Sequence, residues 1–531
     1  MIRRIFIIFV FAITCGFNAN AQQSSSFSAY KFVRFLQYLS NEYVDTVNPN
    51  RMVDEAIVSM LEKLDPHSVY ISKDEVQAMN EPLEGNFDGV GVEFNIMNDT
   101  LMVVNTIIGG PSEKVGIIAG DRFVSIDGKN IAGVGLKNTD VFKYLRGPKG
   151  TKVNLLVKRK NVNSLLDFTV TRDRIPIFSI DASYMVTSRI GYIKLSRFAV
   201  TTEQEFSDAI KKLKKQKMQD LILDLRGNGG GMMNTAIELA DQFLDKGKLV
   251  VYTEGRTSPR TDFVSTERGD LEQTRLVIMI DEGSASASEI LSGAIQDWDR
   301  GIIIGRRSFG KGLVQNQMPL PDGSMIRLTI ARYYTPTGRL IQRHYDDGNA
   351  EKYYSELNDR YTKGELFNKD SVKFPKELQY KTMLKGKTVY GGGGIMPDIF
   401  IPLDTASYSN YYGRLVRAGI LNLYYLSWVD SHRNQLVKDY PKFDKFNKKF
   451  IVTDQMIEEL VTLAEIQKIK RDEDGLAISK NEIKKQLKGL ISQSLFTNGQ
   501  YFEIINQDNN AFLKAVEILN SWDSYKYLVK E

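Results

Sequence analysis

At 531 residues, with 42% apolar and 25% charged side chains, the chain has the balance of a soluble globular protein rather than a disordered or membrane-embedded one. It is also too long for one core, since domains usually run ~100 to 200 residues, so three or four are expected. The formal net charge of +5 falls to +3 once Arg3 and Arg4 leave with a leader, which gives nucleic-acid binding no electrostatic support.

The first residues, MIRRIFIIFVFAITCGFNANAQQ, carry two arginines, an apolar run from Ile5 to Ile13 and a small-x-small site at Ala19-Asn20-Ala21. That order reads as a secretory signal over residues 1–21, and the run is shorter than the ~20 apolar residues a spanning helix needs. An exported, periplasmic location follows as the expectation, with membrane association only if the signal is retained. Cys15, the single cysteine, lies inside this leader, so the mature chain is expected to have neither disulfides nor a cysteine nucleophile. His67, His344 and His432 are the only histidines, and none stands near a second ligand at metal spacing, so no metal or other cofactor is expected.

From Phe27 to about Asn80, apolar residues recur at helical spacing, as in Phe32, Phe35, Leu36 and Leu39 and then Ala56, Ile57, Met60, Leu61 and Leu64. These define an N-terminal helical domain over 27–84, with Asp65-Pro66-His67-Ser68 ending its second helix because proline bars its predecessor from the helical conformation. Residues 86–165 alternate short β-rich runs with glycine turns around one helix near Thr139 to Leu145, a compact β-rich module. Residues 175–402 alternate strands with helices, the order of an α/β core with a largely parallel sheet. Past 402, helical periodicity returns. A capping box at Ser479-x-x-Glu482 is expected to open a helix there, within a C-terminal helical appendage over 403–531.

Chemistry concentrates in the core. The strand Arg275 to Ile280 runs into Asp281-Glu282-Gly283-Ser284-Ala285-Ser286-Ala287-Ser288-Glu289, a turn of small residues opening a helix. Such a turn exposes a hydroxyl, and the helix N-terminus offers N–H groups and a positive dipole end to an oxyanion. Ser284, Ser286 and Ser288 are equal candidates on this reading, against the alternative that all three are caps and packing residues.

The next strand feeds Gly305 to Gln315, where Lys311 stands between two glycines. With no suitable histidine, a lysine whose pKa burial depresses from ~10.4 can serve a serine as base, and Gln315 could orient its amine. The strand Leu221 to Leu225 runs into Arg226-Gly227-Asn228-Gly229-Gly230-Gly231, whose N–H groups could add an oxyanion donor. Gly305 to Lys311 fits the spacing of a phosphate-binding loop, but Gly312 stands where that loop needs Ser or Thr, which argues against nucleotide binding.

Together Ser284-Ala285-Ser286-Ala287-Ser288-Glu289, Phe309-Gly310-Lys311-Gly312 and Gln315 closely resemble the C-terminal processing peptidases, or tail-specific proteases. The resemblance extends through Leu223 to Gly231, the Leu64 to Ser68 turn and Gly394-Ile395-Met396-Pro397-Asp398, covering roughly residues 30–402. It implies a multidomain α/β fold, an α/β peptidase core with an inserted PDZ-like domain and helical ends. It further implies Ser286 as nucleophile, Lys311 as base and Gln315 as its orienting partner, with the oxyanion held by Ala287 and by Gly231 within its glycine run, where Gly230 is the neighbouring candidate. Asp297 resembles an acidic family position that supports the site structurally.

Phe87 to Phe94 resembles the carboxylate-binding loop of a PDZ domain, so that Val90, Gly91 and Val92 would hold a peptide's carboxylate, and Val92, Phe94, Val141 and Leu145 would line the pocket for its last side chain. The alternative for those four is plain core packing. The implied activity is serine endopeptidase action on proteins or peptides with free C-termini. Residues 403–531, where the resemblance stops, are a candidate to dimerise, dock a partner or cover the site, and a homodimer through the helical N- and C-terminal regions is the partner expectation. A catalytically silent PDZ scaffold and a serine esterase or amidase acting on a small molecule or cell-wall peptide are the rival readings.

Overall fold

The computed structural model describes residues 27–267, 269–346 and 348–530. The signal sequence and Cys15 lie outside the described residues. Two compact units divide the chain: a smaller one from residues up to Lys73 with Asn316–Thr329 and Tyr345–Tyr353, and a larger one from Asp74–Gln315, Ile330–His344 and Tyr354–Glu531.

The smaller unit holds helices over 27–42 and Pro49–Glu62. Pro49 opens the second helix, and the Asn48 side chain caps it by accepting from the N–H of Arg51. The expected turn follows. The carboxylate of Asp65 accepts from the N–H groups of His67 and Ser68 and from the hydroxyls of Ser68 and Thr329. The chain then extends rather than staying helical: Val69–Ile71 pairs antiparallel with residues 325–327. The next helix, Lys73–Glu84, falls almost wholly in the larger unit, where Glu81 pairs with Arg146 at 2.6 Å. An all-helical domain over 27–84 is therefore not what the chain builds, because the cap at Asp65 frees the backbone to join a strand.

In the larger unit, Asn86–Gly89 pairs antiparallel with Asp173–Pro176, bringing together the two ends of the inserted module. Between them lies a sheet in the order Val92–Met97, Thr100–Thr106, Arg122–Ile126, Lys152–Lys158, Leu166–Thr171, with the helix Asn138–Leu145 against it. The sheet runs on to Thr171, past the boundary expected at 165. Along Thr100–Thr106 the side chains alternate: Leu101 and Val103 enter the module's own core, while Met102 and Val104 pack with the C-terminal helices.

The central sheet adds strands in one direction, in the order Ile180–Met185, Ile190–Leu195, Asp220–Asp224, Arg275–Ile280, Ile302–Gly305, Ile399–Phe400, parallel after the first pair. Right-handed crossovers in a sheet that grows one way place all connecting helices on one face. There Thr202–Lys215, Met233–Asp241 and Ala287–Asp297 pack on Ile193, Leu223 and Ile278. The opposite face, with Tyr192, Ile222, Val277, Met279 and Ile304, is covered by Phe512, Ala515, Ile518 and Leu519 of the helix Asn510–Asn520. The C-terminal residues are thus no appendage: the last helix is the missing layer of the core.

The helices between 410 and 495 form their own cluster around Tyr411, Leu415, Leu460, Ile483 and Leu487. The expected helix start at Ser479 is overturned, since that helix spans Glu473–Leu495 and is capped by Asp472, which accepts from the N–H of Gly475. Ser479 is instead buried, and its hydroxyl donates to Ser409 at 2.9 Å.

Candidate active site

The three serines separate by what their hydroxyls do. Ser284 and Ser288 are fully buried and donate to the backbone carbonyls of Leu225 (2.8 Å) and Asn228 (2.9 Å). Ser286 alone is half-exposed, at the N-cap of the helix Ala287–Asp297, with φ +54° and ψ −112°. That conformation costs about 1–3 kcal/mol in a non-glycine residue and persists only where its surroundings over-determine it.

Much of that determination comes from Glu289. Its wholly buried carboxylate accepts four donors: the N–H of Ser286 (2.8 Å), the hydroxyl of Ser308 (2.5 Å), and the N–H groups of Gly310 (2.7 Å) and Lys311 (2.9 Å). Burial pushes its pKa up, and the four hydrogen bonds oppose that rise. One side chain thereby ties the serine turn to the lysine loop. The sequence signal was available: Ser286-x-x-Glu289 is a capping box, present at this helix start and not at Ser479.

Lys311 is half-buried, and its Nζ donates to Gln315 Oε1 at 3.0 Å. Buried Arg360 braces the loop before it, donating to the carbonyls of Ser308 (2.7 Å) and Phe309 (3.1 Å), with Glu356 3.0 Å from its Nε. Sequence reading missed Arg360, which lies 49 residues beyond Lys311 in a segment without a motif.

The glycine run packs against the serine turn. A Cβ on Gly230 would sit 2.8 Å from Ser286 Cβ and 2.7 Å from the Ala285 carbonyl, at φ +100°. Its N–H donates to Asn228 Oδ1 (2.9 Å), so Gly230 does not offer an oxyanion donor; its part is to let the serine approach. Among the described residues no acceptor meets the N–H groups of Ala287 and Gly231. Behind the run, burial would raise the pKa of Asp224, but Arg226 and Lys194 hold it well below the carboxylate range.

Asp297, fully buried at the far end of the nucleophile-bearing helix, pairs with Arg339 at 2.5 Å and accepts from the N–H and hydroxyl of Thr337. In the β-rich module, Val90, Val141 and Leu145 are core residues, at 2%, 0% and 5% exposure, and Gly91 takes φ +75°. Val92 and Phe94 are half-buried on the edge strand Val92–Met97, whose outer side pairs with no strand among the described residues. The Phe94 ring meets Phe142, a residue not anticipated, edge-on at 5.7 Å. No three His, Cys, Asp or Glu side chains among the described residues are grouped to hold a metal ion, and no described helix is long and apolar enough to cross a membrane.

Three family models match: Peptidase family S41 over residues 189–348, PDZ domain over 103–159, and a family of unknown function (DUF8443) over 411–497. A carboxy-terminal-processing protease of Bartonella bacilliformis is 37% identical over 328 residues, 61% of this chain and 74% of the relative. The chain belongs to the carboxy-terminal processing proteases.

The processing protease CtpA of Bacillus subtilis is 32% identical over 335 residues, 62% of this chain and 71% of that relative. Among solved structures, a photosystem II D1 C-terminal processing protease is similar at 29% identity, covering 59% of this chain and 83% of that one with a TM-score of 0.35. The chain carries a peptidase S41 core and a PDZ domain; of the fold expected from the resemblance, the α/β core, the PDZ domain and the helical C-terminal region are found, while the N-terminal region includes a strand.

Proposed function

We propose that the chain is an exported serine endopeptidase cutting proteins near their C-termini, with Ser286 as nucleophile, Lys311 as general base and Gln315 orienting the lysine. The observation that carries this reading is the shared carboxylate of Glu289, which binds the backbone N–H of both Ser286 and Lys311. The bond from Lys311 Nζ to Gln315 uses one N–H of the amine, so the lone pair of neutral Lys311 remains to take the serine proton.

Attack by Ser286 Oγ on a peptide carbonyl puts charge on oxygen, which the N–H groups of Ala287 and Gly231 and the positive end of the helix would stabilise. The Lys311 ammonium then protonates the leaving amine. Neutral again, Lys311 takes a proton from the water that cleaves the acyl ester. Asp297 acts through structure, fixing the distal end of the nucleophile's helix by its pair with Arg339.

In this reading the substrate tail pairs with the free edge of Val92–Met97, its carboxylate on the N–H groups of the Val90 to Val92 loop, and its last side chain lies against Val92 and Phe94. Self-association through the helical ends is part of the proposal: the helix over 27–42 exposes Phe27, Tyr30, Val33, Phe35 and Tyr38, an apolar row of the kind that marks a contact surface.

Mass spectrometry of an unfolded protein substrate with a free apolar C-terminus tests the reading. Cleavage by the mature protein, lost in Ser286→Ala and Lys311→Ala and reduced when the C-terminus is amidated, is the expected result. Peptide binding without cleavage by any form would establish the silent scaffold instead.

A further inference from the structure

Tyr333 stands on the strand Met325–Tyr334, within the part that belongs to the larger unit, and is 1% exposed. Its backbone N–H donates to the carbonyl of Gly312 at 3.0 Å, which lays this strand beside the chain just after Lys311. Its phenol hydroxyl donates to the backbone carbonyl of Lys311 and lies 3.1 Å from the backbone carbonyl of Ser286. A single buried group therefore touches the main chain of both residues assigned to the chemistry.

A phenol has one proton to give. The Ser286 carbonyl already accepts the N–H groups of Glu289 (2.8 Å) and Ile290 (2.9 Å), the opening bonds of the helix, so the proton serves Lys311. We propose that Tyr333 is a positioning residue for the hydrolysis, its hydroxyl pinning the carbonyl of Lys311 against the turn that carries Ser286. The proposal rests on the Ser286/Lys311 reading above.

Glu289 grips the N–H of both residues and Tyr333 the carbonyl of Lys311, from a different element. Both ends of the Lys311 main chain are thereby fixed. The need is physical: the lysine amine hangs on a flexible four-carbon stem. Slack in its backbone is carried out to Nζ, where a misplacement of ~1 Å can cost roughly a hundredfold in rate.

The test compares the full mature protein with Tyr333→Phe on an unfolded protein and on a small peptide ester, across pH, with thermal melts. Tyr334→Phe, whose ring stacks on Tyr252 at 4.7 Å, is the neighbouring control and should behave like the parent. For Tyr333→Phe we expect kcat to fall roughly tenfold to a hundredfold, with KM little changed. The acid limb of kcat should move to higher pH, because a loosened lysine gains water and is protonated more easily.

Tyr333→4-aminophenylalanine restores an N–H donor at the same place and should recover most of the rate and the original acid limb. It also keeps the proposal testable if the Phe variant does not fold. A purely structural tyrosine would change the melting temperature alone, so parent-like kcat and acid limb in Tyr333→Phe overturn the proposal and leave the Ser/Lys reading standing. Failure of the parent itself to hydrolyse either substrate or to take up a fluorophosphonate at Ser286 overturns both.

Discussion

Glu289 accepts the backbone N–H of Lys311 at 2.9 Å from a site closed to water. Three of its four partners are backbone N–H groups that can only donate, so the carboxylate satisfies all four without rearrangement, whereas the NH2 of an amide side chain would turn a donor toward a donor. Glu289→Gln should therefore lower kcat on the order of a hundredfold, read by peptide hydrolysis at fixed folded protein.

The same residue predicts a pH dependence of stability. Its folded pKa is raised by burial above the ordinary value of ~4.3, so the folded state binds more protons between the two values. Stability from this group is full below the ordinary value and is lost as pH rises through the folded one. Urea midpoints measured from pH 4 upward should show that decline in the parent and lose it in Glu289→Gln.

Gly230→Ala places a Cβ 2.8 Å from Ser286 Cβ at φ +100°. The left-handed backbone alone costs about 1–2 kcal/mol, and relief of the clash must move the serine. We expect a lower melting temperature together with a fall in kcat of at least about tenfold, checked by melts and kinetics on the same sample.

Phe512 packs edge-on against Tyr192, ring centroids 5.4 Å apart, across the second face of the central sheet. Phe512→Ala should cost about 3–5 kcal/mol by denaturant unfolding. Removal of residues 498–531 should leave that face bare and give an aggregating, dye-binding protein.

Phe94→Ala should raise KM for substrates with a free apolar C-terminus several-fold and leave the amidated substrate unchanged, because the half-buried ring borders the free strand edge and not the serine. Steady-state kinetics on the two substrate forms check it.

The central strands were legible because they are buried on both faces and read as unbroken apolar runs, as in Arg275–Ile280. The serine turn and the lysine loop were legible as motifs, and local spacing placed Asn138–Leu145 closely. What sequence could not show was partnership. The amphipathic helix Asn510–Asn520 announces an apolar stripe but not that Tyr192 and Val277 lie beneath it. Ser479-x-x-Glu482 and Ser286-x-x-Glu289 carry the same capping pattern, and only the helix actually begun at Ala287, two residues before Glu289, tells them apart. Gly230 looked like a donor until Asn228 was found to hold its N–H. Tyr333 reads as an ordinary strand residue, because its role depends on two carbonyls 22 and 47 residues away.

The most direct test of the account is to map which residue takes up a fluorophosphonate. Label on Ser286 in the parent and none in Lys311→Ala, across neutral to alkaline pH, is the predicted result; label on Ser284 or Ser288, or undiminished labelling of Ser286 without Lys311, would contradict it.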